Sequence, residues 1–197
     1  MPVNPYEAGA VTFGLISVLL IAREKIWGWP LGLVNVTLFA IVFFQARLYA
    51  SMALQLMFFG LCLYGWHSWL HGGAGHGQLQ VSHAPRRALA WLLAAGATGA
   101  VVLGTTLFHH TDASLPFIDA ATMSFSLVAQ SMQARKWVEN WFVWFAVDIV
   151  YIGMYSSKQL YLTAGLSAVF MGLAVFGFLT WRRSLPSRSP ASRVTTA

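Results

Sequence analysis

The sequence predicts an all-α membrane protein of seven transmembrane helices, built as two parallel three-helix repeats joined by one linker helix. Three observations predict it. Hydrophobic residues make up 57% of the chain and charged ones only 9%, against ~25% charge in soluble domains, and the mean hydropathy is +0.62. Seven segments approach the ~20 apolar residues that a helix needs to cross a bilayer. Finally, residues 13–69 align without a gap to residues 125–181, an offset of 112.

The expected helices cover roughly 8–22, 27–45, 50–70, 87–108, 115–133, 138–156 and 160–181. The segment "MPVNPYEAGA" before the first has no basic stretch, and no A-x-A-like site follows, so that helix is expected to be retained rather than cleaved. Short polar turns, "AREK", "QARLY", "QARK" and "SSKQ", separate most of the others. The longest connection, "HGGAGHGQLQVSHAPRR", is rich in Gly and His and reads as a flexible loop. Residues 1–186 form one transmembrane domain, with repeat one at about 8–71, the linker helix at about 87–108 and repeat two at about 115–183. The Ser/Pro/Arg-rich tail 187–197 is expected to be disordered.

Charge sets the orientation. With seven spans, one side holds only Arg47 and Lys158. The other holds Arg23, Lys25, Arg86, Arg87, Arg135, Lys136, Arg182, Arg183, Arg188 and Arg193. The positive-inside rule then puts the amino terminus outside and the carboxyl terminus in the cytoplasm. The same residues, anchored at lipid headgroups, explain the net charge of +6 without a nucleic-acid partner. Cys62, the single cysteine, cannot form an internal disulfide and reads as a packing residue.

The repeat is carried by residues that are hard to match by chance. Ala22-Arg23 meets Ala134-Arg135, Trp29 meets Trp141, Gly65 meets Gly177 and Trp69 meets Trp181. Three-helix copies joined directly would be inverted; the inserted fourth helix restores a common direction. Two such halves place a substrate site near the midplane between them and point to alternating access.

At ~100° per residue, Trp141, Trp144, Asp148, Tyr151 and Tyr155 share one face of the sixth helix, with Asn140 beside them. A mid-span carboxylate costs ~2.5–3.5 kcal/mol on insertion scales and so faces a partner or a wet cavity. No Lys or Arg lies well inside any span, which leaves a ligand cation, water or protonation to stabilise Asp148. Tryptophan and tyrosine faces attract desolvated cations by ~2 kcal/mol. The face therefore suits a flat ligand with delocalised positive charge. Read structurally, the same aromatics are core or interface packing. The corresponding face of repeat one keeps only the tryptophan: Trp29, Gly32, Val36, Phe39 and Phe43. Further candidates are Asn35, Gln55, Asp119, Thr122 and Gln130, each of which would otherwise serve as an ordinary buried polar residue.

Absences narrow the chemistry. A phosphate at the midplane would meet no basic side chain, which argues for a dephosphorylated substrate. No phosphate-binding G-x-x-x-x-G-K-[ST] loop, G-x-S-x-G or H-E-x-x-H occurs, so the reading is of a chain that neither uses ATP nor acts as an enzyme. His67 and His71 are one turn apart but sit at the end of a span beside the Gly-rich loop, and no metal or other cofactor is expected.

The chain from "REKIWGWPLGLVNV" through "RLYASMALQLMFFGLCLYGW" to "ARKWVENWFVWFAVD" and Trp181 resembles the PnuC family of bacterial vitamin transporters, relatives of the SWEET carriers. The most specific piece is W-x-x-W-x-x-x-[N/D], here Trp141, Trp144 and Asp148. The resemblance implies a full-length SWEET-like 3+1+3 fold in a bacterial inner membrane. It also implies facilitated diffusion of nicotinamide riboside, trapped inside by a cytoplasmic kinase. Relatives also move thiamine or riboflavin, and Asp148 stands where many members carry Asn, so thiamine is the alternative substrate. The partners expected are a cationic vitamin, the lipid bilayer and further copies of the chain.

Overall fold

The computed structural model describes residues 5–47, 49–111 and 114–186. Seven helices follow in order: α1 (Pro5–Ala22), α2 (Gly28–Gln45), α3 (Tyr49–His71), α4 (Arg86–His110), α5 (Pro116–Ala134), α6 (Asn140–Ser157) and α7 (Tyr161–Arg183). They fall on the seven expected segments, with ends moved by a few residues. Among the described residues the loops hold one 3-10 turn, Ala74–His76, and one isolated β-bridge, Ser82 to Trp137. The expected disorder of 187–197 lies outside the described residues.

By hydropathy, four helices are long and apolar enough to cross a membrane: α1, α2, α4 and α7. On the described residues, the other three of the seven expected segments, α3, α5 and α6, are not among them. The reason is visible in α5, where ten residues are buried and Thr122, Ser124, Ser126, Gln130 and Gln133 are among them. Its polarity is turned toward other helices, where side chains can satisfy one another. α5 touches α3, α4 and α6. Gly96, Gly99 and Gly104 let α4 approach it closely, and a Cβ at Gly104 would overlap the Phe117 ring.

Helix contacts follow the repeat. α1 lies on α2 and α2 on α3, as α5 lies on α6 and α6 on α7. Between the halves, α3 meets α5 and α7 meets α1, two contacts that interchange when the halves are exchanged. The turns match as well. Glu24 and Lys136, 112 residues apart, adopt φ of 57° and 52°; Arg47 and Gln159 adopt 58° and 61°. At three of these turns an N–H reaches back five residues to a carbonyl: Lys25 to Leu20, Trp137 to Met132 and Leu160 to Tyr155. This satisfies the last carbonyls of each helix in the manner of a Schellman cap.

The best-packed region is the end of the bundle that carries Arg23, Arg135 and Arg182. Trp29, Trp69, Trp141 and Trp181 are all buried there, with Ile21, Cys62, Val81, Ala134 and Val138. Trp29 meets Trp69 edge-on at 5.4 Å, Trp141 meets Trp181 edge-on at 5.2 Å, and Trp69 meets Trp181 at 5.7 Å. Each outer ring occupies the space above a glycine: a Cβ at Gly65 would overlap Trp29, and one at Gly177 would overlap Trp141.

The loop 72–85, expected to be flexible, is partly tied to this end. Val81 enters the core at 2% exposure. Ser82 exchanges backbone hydrogen bonds with Lys136 and Val138, and Leu79 N–H donates to the Trp69 carbonyl. The Glu139 carboxylate accepts from the Ala84 N–H at 2.9 Å and pairs with His83 Nδ1 at 2.7 Å.

Within lipid, close packing rather than the hydrophobic effect holds helices together. Gly65→Ala and Gly177→Ala should therefore each cost about 1–3 kcal/mol through overpacking. Gly172→Ala, where a Cβ meets nothing within 4 Å, should be neutral or stabilise by up to ~1 kcal/mol. Thermal unfolding of the three variants in detergent checks the contrast. Trp141→Ala should likewise lower stability, by about 3–5 kcal/mol.

Candidate functional site

A polar seam runs between α5 and α6. The two helices are antiparallel and joined by a short turn, so residues equally far from the turn face each other. On α5, Asp119, Thr122, Ser126, Gln130 and Gln133 recur at spacings of three and four and form one stripe. On α6, Trp144, Asp148, Tyr151 and Tyr155 do the same. The seam is built, level by level, from these two stripes.

Nearest the turn, Trp144 Nε1 donates to Gln133 Oε1 at 2.9 Å. One helical turn deeper, ~6 Å along the axis, Asp148 is 6% exposed. It has neither an ion pair nor a hydrogen bond among the described residues; the two ion pairs present are His83–Glu139 and Lys136–Glu24. Beyond it, the Tyr151 hydroxyl lies beside Thr122 and Ser126. Tyr155 stacks on Tyr151 with centroids 5.5 Å apart and planes 17° apart. Asp119 lies in the first turn of α5. Gln130 points to α3, where its Nε2 meets Cys62 Sγ at 3.7 Å. Gln55 lies two turns before Cys62 on the same face of α3 and is half-buried.

Other expected residues fall elsewhere. Trp141 is 2% exposed and packs against Trp181 and Gly177. It stands in the tryptophan core, one turn before Trp144 on α6. Asn140 is fully buried at the start of α6, with Nδ2 donating to the Trp137 carbonyl at 2.7 Å. Asn35 ties α2 to α1 through a 2.7 Å bond from Nδ2 to the Ala10 carbonyl. The physical reason is common to the three: each has a partner within its own repeat that holds it away from the seam.

Two seam residues were missed in sequence, Ser126 and Gln133. Both lie on the α5 stripe already marked by Thr122 and Gln130, at i+4 and i+3, and extending that stripe would have found them. The seam is one-sided. Where repeat two has Trp144 and Asp148, repeat one has Gly32 and Val36. Among the described residues no three His, Cys, Asp or Glu come together as a metal site. Two open clefts among the described residues, one between α4 and α5 and one around Glu139, Phe142 and Arg182, do not include Asp148.

The arrangement suits one task above others. A buried, unpaired carboxylate flanked by an indole and two phenols stabilises a flat cation by charge and by ring contact. Nothing in it supplies a nucleophile with an adjacent base.

Comparison with known proteins agrees with a membrane carrier. The nicotinamide riboside transporter PnuC of Escherichia coli K12 is 29% identical over 92% of this chain and 87% of its own length. That of Neisseria mucosa is 27% identical over 93% of this chain and 73% of its own. The riboflavin/roseoflavin transporter RibM of Streptomyces davaonensis is 28% identical over 85% of this chain and 80% of its own. The crystal structure of the vitamin B3 transporter PnuC superposes with a TM-score of 0.72 at 24% identity, over 92% of this chain and 82% of that one. Residues 4–183 match the family described as nicotinamide mononucleotide transporter, and this multi-pass, all-helical chain belongs to that family of membrane transporters.

Proposed function

We propose that the protein takes up nicotinamide riboside by facilitated diffusion, and that Asp148 is the counter-charge of its pyridinium. The observation that carries the reading is the unpaired, buried Asp148 within an aromatic seam. Trp144 and Tyr151 are the ring contacts; Thr122, Gln130, Gln133 and Gln55 bond the ribose and the amide. Asp119, near the opposite mouth, attracts the cation as it arrives. Asn35, Asn140 and Trp141 support the walls from behind.

The family description names the mononucleotide, whereas the PnuC relatives are named for the riboside. The seam favours the riboside for this chain. Its stripes carry no Lys or Arg, and the buried Lys136 nearby is already paired with Glu24 at 3.2 Å. A phosphate drawn into the seam would lose its water and gain no cation. The RibM relative is named for riboflavin, a neutral ligand that would leave Asp148 unbalanced. Thiamine, whose thiazolium is positive, is the second reading, since the same carboxylate serves either cation.

The symmetric helix contacts and paired turns support a 3+1+3 plan. Repeat one runs over about 8–71, α4 links, and repeat two runs over about 115–183, with the halves rocking about an axis along the membrane normal. The excess of basic residues at one end supports a bacterial inner-membrane location, with that end in the cytoplasm. A cytoplasmic kinase that phosphorylates the riboside would trap it, because the product no longer suits the seam. Association with further copies of the chain completes the proposal.

Titration calorimetry on purified protein tests it. Nicotinamide riboside should bind, Asp148→Ala should abolish high-affinity binding, and Trp144→Ala should weaken it by about 1–3 kcal/mol. Normal binding by both variants would remove the site assignment. Nicotinamide mononucleotide should bind at least tenfold more weakly, ~1.4 kcal/mol; equal affinity would overturn the argument from missing basic residues. Binding of thiamine alone would keep the site and change the vitamin.

A further inference from the structure

At the basic end, residues related by the 112-residue repeat touch their own counterparts. Trp69 lies against Trp181 at 5.7 Å. Glu24 pairs with Lys136 at 3.2 Å. The hydrogen bonds are related in the same way: Trp69 Nε1 donates to the Gln133 carbonyl at 3.2 Å, and Trp181 Nε1 donates to the Ile21 carbonyl at 3.1 Å. Ile21 and Gln133 are themselves 112 apart. A residue can meet its own repeat counterpart only where the axis relating the halves passes between them. These contacts therefore mark the line about which the halves separate. They also close it: Trp69 and Trp181 are 3% and 0% exposed.

The plug is held by charge as well as by packing. Lys136 is buried, and its Nζ sits 4.4 Å above the Trp69 ring. Separating the halves would strip Lys136 of its Glu24 partner, and a buried charge without a partner is strongly unfavourable. Gln133 touches both plug and seam. Its side-chain oxygen accepts from Trp144, while its main-chain carbonyl accepts from Trp69. Any shift of the Trp144 ring on a ligand therefore acts on the residue that anchors Trp69.

We propose that Trp69–Trp181, clamped by Glu24–Lys136, is the cytoplasmic gate of this transporter, and that Gln133 is the positioning residue that couples it to the ligand. The coupling rests on the seam being the substrate site; the gate rests on the two-fold contacts alone. Opening requires the two tryptophans to part and the ion pair to break, both at the same end of the bundle. Because ligand and gate share one residue, each biases the other by the same factor.

Cys62 is the built-in reporter. It is the single cysteine, 4% exposed, two turns deeper on α3 than Trp69, and beside Gln130 of the seam. Labelling with a membrane-impermeant, cationic methanethiosulfonate is measured from each face of vesicles, without ligand. The wild type should react slowly from the cytoplasmic face. Glu24→Gln and Lys136→Met should react about tenfold or more faster there, as a gate open in a minor state of ~0.1–10% becomes populated, and should be unchanged from the outer face. The double exchange Glu24→Lys/Lys136→Glu should return to the slow rate, since each charge moves to the counterpart position and the cation moves from Trp69 to Trp181. Unchanged labelling in both single variants, or a double exchange as fast as the singles, would overturn the gate.

For the coupling, labelling is repeated with saturating nicotinamide riboside. The wild type and Glu24→Gln should both change rate on addition of ligand. Gln133→Leu and Trp144→Phe, which remove acceptor and donor of the same bond, should not, at riboside concentrations that calorimetry shows to saturate each variant. A retained response in either variant would overturn the coupling and leave the gate standing. If calorimetry detects no riboside binding to the wild type, the substrate reading fails, while the ligand-free result still decides the gate.

Discussion

The contact between Trp69 and Trp181 is the constraint on which the rest of the molecule is arranged. Two copies of one residue can meet only on the axis that relates their repeats, and a ring that large fits only if the neighbouring backbones give way. Gly65 and Gly177 give way to Trp29 and Trp141, which then stand edge-on to Trp69 and Trp181. The indole N–H groups of the central pair bind carbonyls in the last turns of α5 and α1, which also accept from the Lys136 and Glu24 N–H groups of the turns that follow. Packing, helix termination and symmetry are satisfied by the same two side chains.

Function resides in the departures from that symmetry. Repeat one fills the counterpart of Asp148 with Val36 and the counterpart of Trp144 with Gly32. A single carboxylate within the bundle costs about 2.5–3.5 kcal/mol, and a second at the symmetric position would roughly double that and repel the first. One carboxylate is sufficient to balance one positive charge. Gly32, at the position related to Trp144, instead lies against α1 and α3, where a Cβ would stand 3.1 Å from Ser17 Oγ and 3.5 Å from Cys62 Sγ. The duplication supplies two walls; divergence makes one of them polar.

The bundle was legible in the sequence because lipid imposes a length and a hydropathy that every spanning helix must meet. The repeat was legible because Trp, Gly and Arg matches are rare in an apolar alphabet. The site was legible in part. Asp148, Tyr151 and Trp144 stood out through an acid and aromatics at helical spacing, whereas Trp141 shares that spacing and belongs to the core. Periodicity gives the side of a helix and not the depth at which a neighbour covers it. Gly177, which makes Trp141's pocket, lies 36 residues away in the chain. Gln133 was missed for a related reason, because a lone amide acquires meaning only from the indole opposite it. The loop 72–85 was read as flexible from its glycines, yet its last residues carry Val81 and Ser82, which bind the start of α6.

That loop follows from the topology. Because repeats of three helices need a fourth to run in the same direction, the chain must leave α3 and enter α4 at the basic end, next to the gate. There it forms a strap over repeat two: Val81 in the core, Ser82 bridged to Lys136 and Val138, and His83 and Ala84 held by Glu139. Repeat one has no equivalent, since the counterpart of Glu139 is Trp27, which is 69% exposed. The strap holds the backbone at Lys136 and at Val138 just after it, next to the charge that clamps the plug, and no such strap is bonded to the turn of Glu24 among the described residues. The two sides of the clamp are thus unequal. In the proposed gate the corner less tied to the rest of the chain is therefore the α1–α2 turn of repeat one, and that is where the clamp yields first.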